Sequence, residues 1–295
     1  MPIVDAHHHI WRQADLPWLQ GPMVPRIFGP YEPIRRDYPI EEFLADIAGS
    51  GIEKSVYVQT NWAKSGAVSE VEWVQSVADK YGWPHAVVGY ADLLDDNVAD
   101  ALKRQALYPL MRGIRMQLHW HDNEMYRFAP TPDLMNDRRF RKNLRLVAGQ
   151  GWSFDLQVFT SQMADAAKLA ADNPDIVFVL QHAGMLEDLS PQGRTAWRDG
   201  MKRLAGEHNI VSKLSGLGTF IHRNDAAHIS DVALQTVELF GAERCLFGSN
   251  FPIEKLWTSY ADLVVAHRAA IASLPAADQQ AILGGTATRV YRLSA

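Results

Sequence analysis

Three consecutive histidines, His7, His8 and His9, follow Asp5-Ala6 at the end of the first apolar run of the chain, Ile3–Ala6. On an extended strand, side chains two residues apart share a face, so His7 and His9 point one way and His8 the other. Two imidazoles a few ångströms apart make half of a metal site, or else a hydrogen-bonded structural pair. A tag remnant is a poor reading, because the run is embedded in a strand and an acidic residue precedes it. Other polar residues recur at the ends of later apolar runs. Gln59 closes the second run, Arg115 lies in the fourth, Gln157 in the fifth and His182 just after the sixth. Lys213 and Ser215 end the seventh run, and Asn250 follows the eighth. Unpaired charges buried at such positions cost several kcal/mol, so a ring of them is better explained by a site than by packing.

Arg115 and Lys213 bring positive charge to this set, which suits a carboxylate-bearing substrate or a developing oxyanion. The plainer reading of the same cations is a structural ion pair with Asp5 or Asp155. His119-Trp120-His121 follows the fourth run. Its spacing admits a second metal site, a solvated loop with an aromatic anchor, or a substrate-facing loop in which one histidine is a base. Trp62, with Trp11 and Trp18, fits either an apolar wall against a ring or ordinary packing.

The elements that must position these groups are short apolar runs followed by amphipathic stretches. The runs are Ile3–Ala6, Ser55–Gln59, Ala86–Tyr90, Gly113–Leu118, Phe154–Phe159, Ile176–Leu180, Ile210–Leu214 and Arg244–Phe247. Several are apolar throughout, as parallel strands buried on both faces are. Helical stripes are expected over Ile40–Ala48, Val68–Tyr81, Val98–Leu107, Arg138–Ala148, Ala164–Ala171, Trp197–Ala205, Ile229–Phe240 and Tyr260–Ile271. Eight strands each followed by a helix give a single α/β domain over residues 1–295, a (β/α)₈ or TIM barrel. A doubly wound open sheet is the alternative, but its glycine-rich dinucleotide fingerprint is missing after the first strand. Two connections exceed plain barrel turns, from Trp11 to Pro39 and from His119 to Pro132. Both follow strand ends, where barrel enzymes build active sites.

Composition narrows the function further. The chain has 295 residues, 47% hydrophobic and 21% charged, with 29 Lys and Arg against 34 Asp and Glu. That balance excludes a disordered chain and leaves no basic footprint for nucleic acid. No apolar run approaches a membrane span, and the first residues lack the basic start and apolar stretch of a signal peptide. A cytoplasmic protein acting on a small molecule is expected, with self-association left open. The single cysteine, Cys245, excludes a disulfide framework and a cysteine-based zinc site. No Walker or Rossmann glycine pattern and no Gly-x-Ser-x-Gly elbow is present.

The ordered set of segments resembles a known family. Asp5-Ala6-His7-His8-His9-Ile10-Trp11 with Pro17-Trp18-Leu19 is similar to the opening of the amidohydrolase-related branch of the amidohydrolase superfamily. That branch includes sugar-acid lactonases and 2-pyrone-4,6-dicarboxylate lactonase. Val56-Tyr57-Val58-Gln59, Gly113-Ile114-Arg115, Gln181-His182-Ala183-Gly184, Lys213-Leu214-Ser215-Gly216-Leu217 and Phe247-Gly248-Ser249-Asn250-Phe251-Pro252 match its later strand ends in order. The closing Gly284-Gly285-Thr286-Ala287-Thr288-Arg289-Val290-Tyr291 resembles its terminal helix. The resemblance implies hydrolysis of a small carbonyl compound, with His7, His9 and His182 as catalytic or metal-binding groups.

It also exposes a departure. Much of the superfamily has an aspartate after strand eight that binds metal and deprotonates water; here Asn250 stands in Gly-Ser-Asn-Phe-Pro. A neutral amide accepts no proton near neutral pH, so a histidine is the obvious substitute base. Gln157 occupies the strand-five position where binuclear members carry His or a bridging Lys. The expectation is therefore one zinc on His7, His9 and His182, or no metal at all. The expected reaction is opening of a small lactone to a carboxylate, with Arg115, Lys213, Gln59, Gln157, His119, His121, Ser215 and Trp62 around the substrate. Non-oxidative decarboxylation is the rival chemistry, and a non-catalytic binding barrel is the rival that Asn250 suggests.

Overall fold

The computed structural model describes residues 2–294. The strands are β1 Ile3–His8, β2 Ile52–Val58, β3 Ala86–Gly89, β4 Met111–Ile114, β5 Ser153–Leu156, β6 Phe178–Leu180, β7 Ile210–Leu214 and β8 Cys245–Phe247. All pair in parallel, in chain order, within one sheet. The seam between β8 and β1 closes just past the strand ends. There Asn250 N donates to His7 O at 2.7 Å and His9 N donates to Phe251 O at 2.8 Å. The expected (β/α)₈ barrel is therefore the fold, and its seam is stitched by residues that carry candidate site groups.

Eight helices alternate with the strands: α1 Ile40–Ile47, α2 Ala67–Tyr81, α3 Val98–Gln105, α4 Arg138–Gly149, α5 Met163–Ala171, α6 Pro191–Ala205, α7 Ala226–Phe240 and α8 Tyr260–Ala270. Each buries an apolar stripe against the sheet, as Ile40, Phe43 and Ile47 do in α1. Side chains of Asp137, Ser190, Asp225 and Ser259 cap α4, α6, α7 and α8 by accepting from first-turn amides. Helix α6 begins six residues before its expected start, because Ser190 caps it and Pro191 fits the first turn, where no amide donor is needed. Among the described residues, no helix is long and apolar enough to cross a membrane.

The barrel interior is packed, with Val4, Ala6, Val56, Val58, Ala86, Val88, Val179, Val211 and Leu246 forming one buried cluster. Ala287, Val290, Tyr291 and Leu293 join that cluster, so the last helical segment plugs the N-terminal end.

Strand β1 contains the irregularity that builds the site. Asp5 pairs with Ser55 and His8 with Tyr57, so β1 carries one residue more than β2 between these pairs. Plain alternation from Val4 and Ala6 would turn His8 inward. The extra residue resets the face, and His8 instead stacks outward on Phe43 of α1, ring centroids 3.9 Å apart. His7 and His9 are left on the inner side. Asp5, fully buried, holds this bulge: it accepts from His7 N, from Ser249 N and Oγ, and from Tyr260 OH of α8.

Candidate active site

The C-terminal mouth of the barrel holds a cavity of about 420 Å³. His9 and His182 line it, and His7 stands fully buried against both, with ring centroids 5.0 Å from His9 and 4.9 Å from His182. Two segments far apart in sequence, the end of β1 and the turn after β6, thus deliver three imidazoles to one place. His9 donates Nδ1–H to Val58 O at 2.7 Å, which fixes its tautomer and leaves Nε2 as the bare acceptor. His182 Nδ1 lies 3.0 Å from Ser215 Oγ, so Ser215 sits behind the ring and Nε2 is the free nitrogen. Both nitrogens of His7 are buried without a partner.

Close approach of the chain makes room for these rings. Gly216 has φ +59, and a Cβ there would stand 2.6 Å from His182 Nδ1. A Cβ on Gly248 would stand 2.7 Å from that of His7. His182 and Asn250 themselves take left-handed backbone, φ 54 and φ 57.

Burial suppresses protonation throughout this cluster. His9 and His182 are each held down at about 3, first by desolvation and then by the field of Arg115. His7 is lowered by desolvation, then by Lys213 and its histidine neighbours. All three rings are neutral at pH 7, the form that binds a metal or accepts a proton. Three neutral imidazoles suit zinc chemically, and the orphaned nitrogens of His7 leave donors free for it. Among the described residues, however, no three His, Cys, Asp or Glu side chains stand together as a formed metal cage.

Arg115 lines the cavity, and its Nη2 donates to Gln59 O at 2.6 Å while Nε has no partner. Gln157 also lines it, with Oε1 unpartnered. His119 lines it as well, held between the rings of Phe128 and Phe159 and with Nδ1 unpartnered. Trp62 forms part of the wall with Trp11 and Trp18, which meet edge to face at 5.8 Å. The described lining contains no Asp or Glu, whereas Arg26, Lys64, Arg115 and Arg127 all contribute to it.

Four expected substrate contacts stand elsewhere. Lys213 is fully buried below the cavity and pairs with Asp155 at 2.7 Å, so the plainer ion-pair reading of this cation is the correct one. Both residues point inward from β7 and β5, and Gln181 and Tyr291 also donate to Asp155. Gln59 serves Arg115 through its carbonyl, and its own Oε1 accepts from Asn61 N. Ser215 supports His182 from behind. His121 turns off the wall, accepts from Asn123 N and packs on Tyr126 and Phe159. The fourth strand ends at Ile114, so the His119-Trp120-His121 alternation belongs to a loop and not to a strand edge.

Sequence reasoning missed Arg26, Asn61, Tyr126 and Phe220 on the wall, and Glu254 behind it. They lie on loops and turns, where no periodicity marks an inward face. Both long connections contribute to the mouth. The first is pinned by mutual hydrogen bonds of Trp11 and Tyr38, and the second by Phe128 N and Ala129 N donating to His119 O.

Comparison with known proteins fits this geometry. A family model described as Amidohydrolase matches residues 4–293. An uncharacterised protein of Sinorhizobium fredii, y4mH, is 33% identical over 99% of this chain and 98% of its own length. An L-fucono-1,5-lactonase of Burkholderia multivorans is 28% identical over 98% of this chain and 96% of its own length. The crystal structure of an amidohydrolase from Burkholderia multivorans with bound zinc superposes with a TM-score of 0.82 at 27% identity, covering all of both chains.

Proposed function

The chain belongs to the amidohydrolase family, and from that premise we propose that it opens a small lactone by hydrolysis to give a hydroxy acid. One observation carries the reading: neutral imidazoles and the unpaired Nε of Arg115 meet in an aromatic-walled cavity whose described lining has no carboxylate. A pocket so charged favours a reaction that gathers negative charge on a carbonyl oxygen and yields a carboxylate. The L-fucono-1,5-lactonase resemblance points to the same substrate class.

The lactone carbonyl oxygen is placed against Arg115. A water oriented by Asn250 attacks the carbonyl carbon and passes its proton to His119. The oxyanion that forms is held by Arg115, and collapse breaks the ring C–O bond while His119 returns the proton to the departing alkoxide. His119 is assigned this role over His121 because its ring lies on the cavity wall and carries an unpartnered nitrogen. Burial and then Arg115 hold it down at about 3, which makes it a weak base at rest. The developing oxyanion offsets the field of Arg115, so proton affinity rises as negative charge forms. His7, His9 and His182 are the residues that would hold a zinc ion, which when bound supplies Lewis acidity toward the carbonyl.

Two outcomes follow for variants. Arg115→Ala should reduce kcat/KM by about 1.5–3 kcal/mol of lost charge-assisted contact, read in steady-state kinetics. Gly216→Ala should push the His182 ring aside and lower turnover by about 10²-fold, the scale of a 1 Å misplacement. Wild-type kinetics in either variant would contradict its role.

The reading itself is tested with a lactone panel led by L-fucono-1,5-lactone, followed with a pH indicator and carbon dioxide capture. Acid release with ring opening supports it. Carbon dioxide release would replace it with decarboxylation, and acid from none of the panel would leave a binding barrel.

A further inference from the structure

One buried acid near the mouth has no part in that mechanism. Glu254, 1% exposed, follows β8 in the turn that carries Asn250. Its Oε2 accepts from Trp257 Nε1 at 2.9 Å and its Oε1 from Thr219 Oγ1 at 3.3 Å. Its amide also donates to Asn250 O at 3.3 Å, which ties the two residues into one turn. Thr219, Asn250 and Ile253 line the cavity while Glu254 does not, so its carboxyl stands one layer behind the wall. The Asn250 amide lies within reach of the Glu254 carboxyl on one side and the His9 ring on the other. The loop after β7 leaves room for that carboxyl: a Cβ on Gly218 would come within 2.8 Å of Glu254 Oε2.

We propose that Glu254 is a positioning residue whose buried carboxyl sets which end of the Asn250 amide faces His9 and the reacting water. The proposal rests on the reading of Asn250 as the group that orients water. A buried polar group is retained only with its hydrogen bonds met, and this carboxyl has three neutral partners and no cation. Nearby titratable rings are His9, across Asn250, and His222, whose centroid lies 5.9 Å from that of Trp257. Lys255, next in sequence, is engaged by Glu42 and Asp46.

The chemistry follows from donors and acceptors. His9 spends Nδ1–H on Val58 O, so Nε2 needs a donor. A protonated Glu254 donates to Asn250 Oδ1 and turns Nδ2 toward His9. An ionised Glu254 only accepts, draws Nδ2 to itself and sets Oδ1 against Nε2, acceptor against acceptor. Burial pushes this carboxyl up to about 8, so the protonated arrangement holds at neutral pH and is lost above that value.

The test compares Glu254→Ala and Glu254→Gln in the whole protein. Glu254→Ala should lower kcat about tenfold with little change in KM, as a misaligned group near the reacting water does. Glu254→Gln, which both donates and accepts, should recover most of kcat and lack the alkaline decline near pH 8 that is expected of the wild type. The side-chain amide NMR signals of Asn250, identified by their loss in Asn250→Ala, should move across the same pH range in the wild type but not in Glu254→Gln. Unchanged kcat in Glu254→Ala, an alkaline limb surviving in Glu254→Gln, or Asn250 signals indifferent to pH would each overturn the proposal. If no lactone is opened, the functional reading fails while the amide signals still decide the role of Glu254.

Discussion

Lys213→Ala is expected to destabilise the protein by about 3–5 kcal/mol, the usual result of stripping one partner from a buried ion pair. Asp155, fully buried, would be left in the barrel interior without its cation and with only Gln181 and Tyr291 as hydrogen-bond donors. Chemical denaturation should show the loss as a lower midpoint. The double variant Lys213→Met, Asp155→Leu should recover much of it, because it leaves no uncompensated charge. The contrast with Arg115 is the informative part. Both cations are buried on the inner face, yet Arg115 has an unpartnered Nε at the cavity and Lys213 has its carboxylate. Loss of catalysis at unchanged stability in Lys213→Ala would return this residue to the substrate.

His119→Gln is expected to lower kcat by about 10²–10⁴-fold, the contribution typical of a general base. Glutamine fills a similar space but accepts no proton, so KM should change far less than kcat. The direction of pH dependence is fixed by the lowered protonation of the ring. Because burial and Arg115 keep His119 neutral down to about 3, wild-type activity should hold through mildly acidic pH and not fall near the usual histidine value. A limb centred near the ordinary histidine range, or a His119→Gln enzyme with nearly full kcat, would contradict the base assignment.

The barrel was legible because its evidence is repetitive. Eight apolar runs separated by amphipathic stretches admit few architectures, and every helix but α6 starts within three residues of its expected position. Strand ends were less legible. The runs at 113–118 and 154–159 continue as buried chain, but the ladders stop at Ile114 and Leu156 because later residues turn into mouth loops. Alternation put His7 and His9 on one face, yet the face itself is set by the extra residue in β1, which no local pattern marks. Spacing placed Lys213 and Arg115 alike. Only the fold brings Asp155, 58 residues distant from Lys213 in sequence, into a direct ion pair with Lys213 and not with Arg115. Glu254 lies in an irregular turn, where neither a period of two nor one of 3.6 applies.

Water-derived oxygen is the most direct witness of the reaction. L-fucono-1,5-lactone opened in ¹⁸O-labelled water by the purified protein should give the hydroxy acid with one labelled oxygen, in the carboxylate, and no carbon dioxide. The rate should exceed that of the His119→Gln variant in the same buffer. A product whose carboxylate carries no label, or opening no faster with the protein than in buffer alone, would contradict lactone hydrolysis at this mouth.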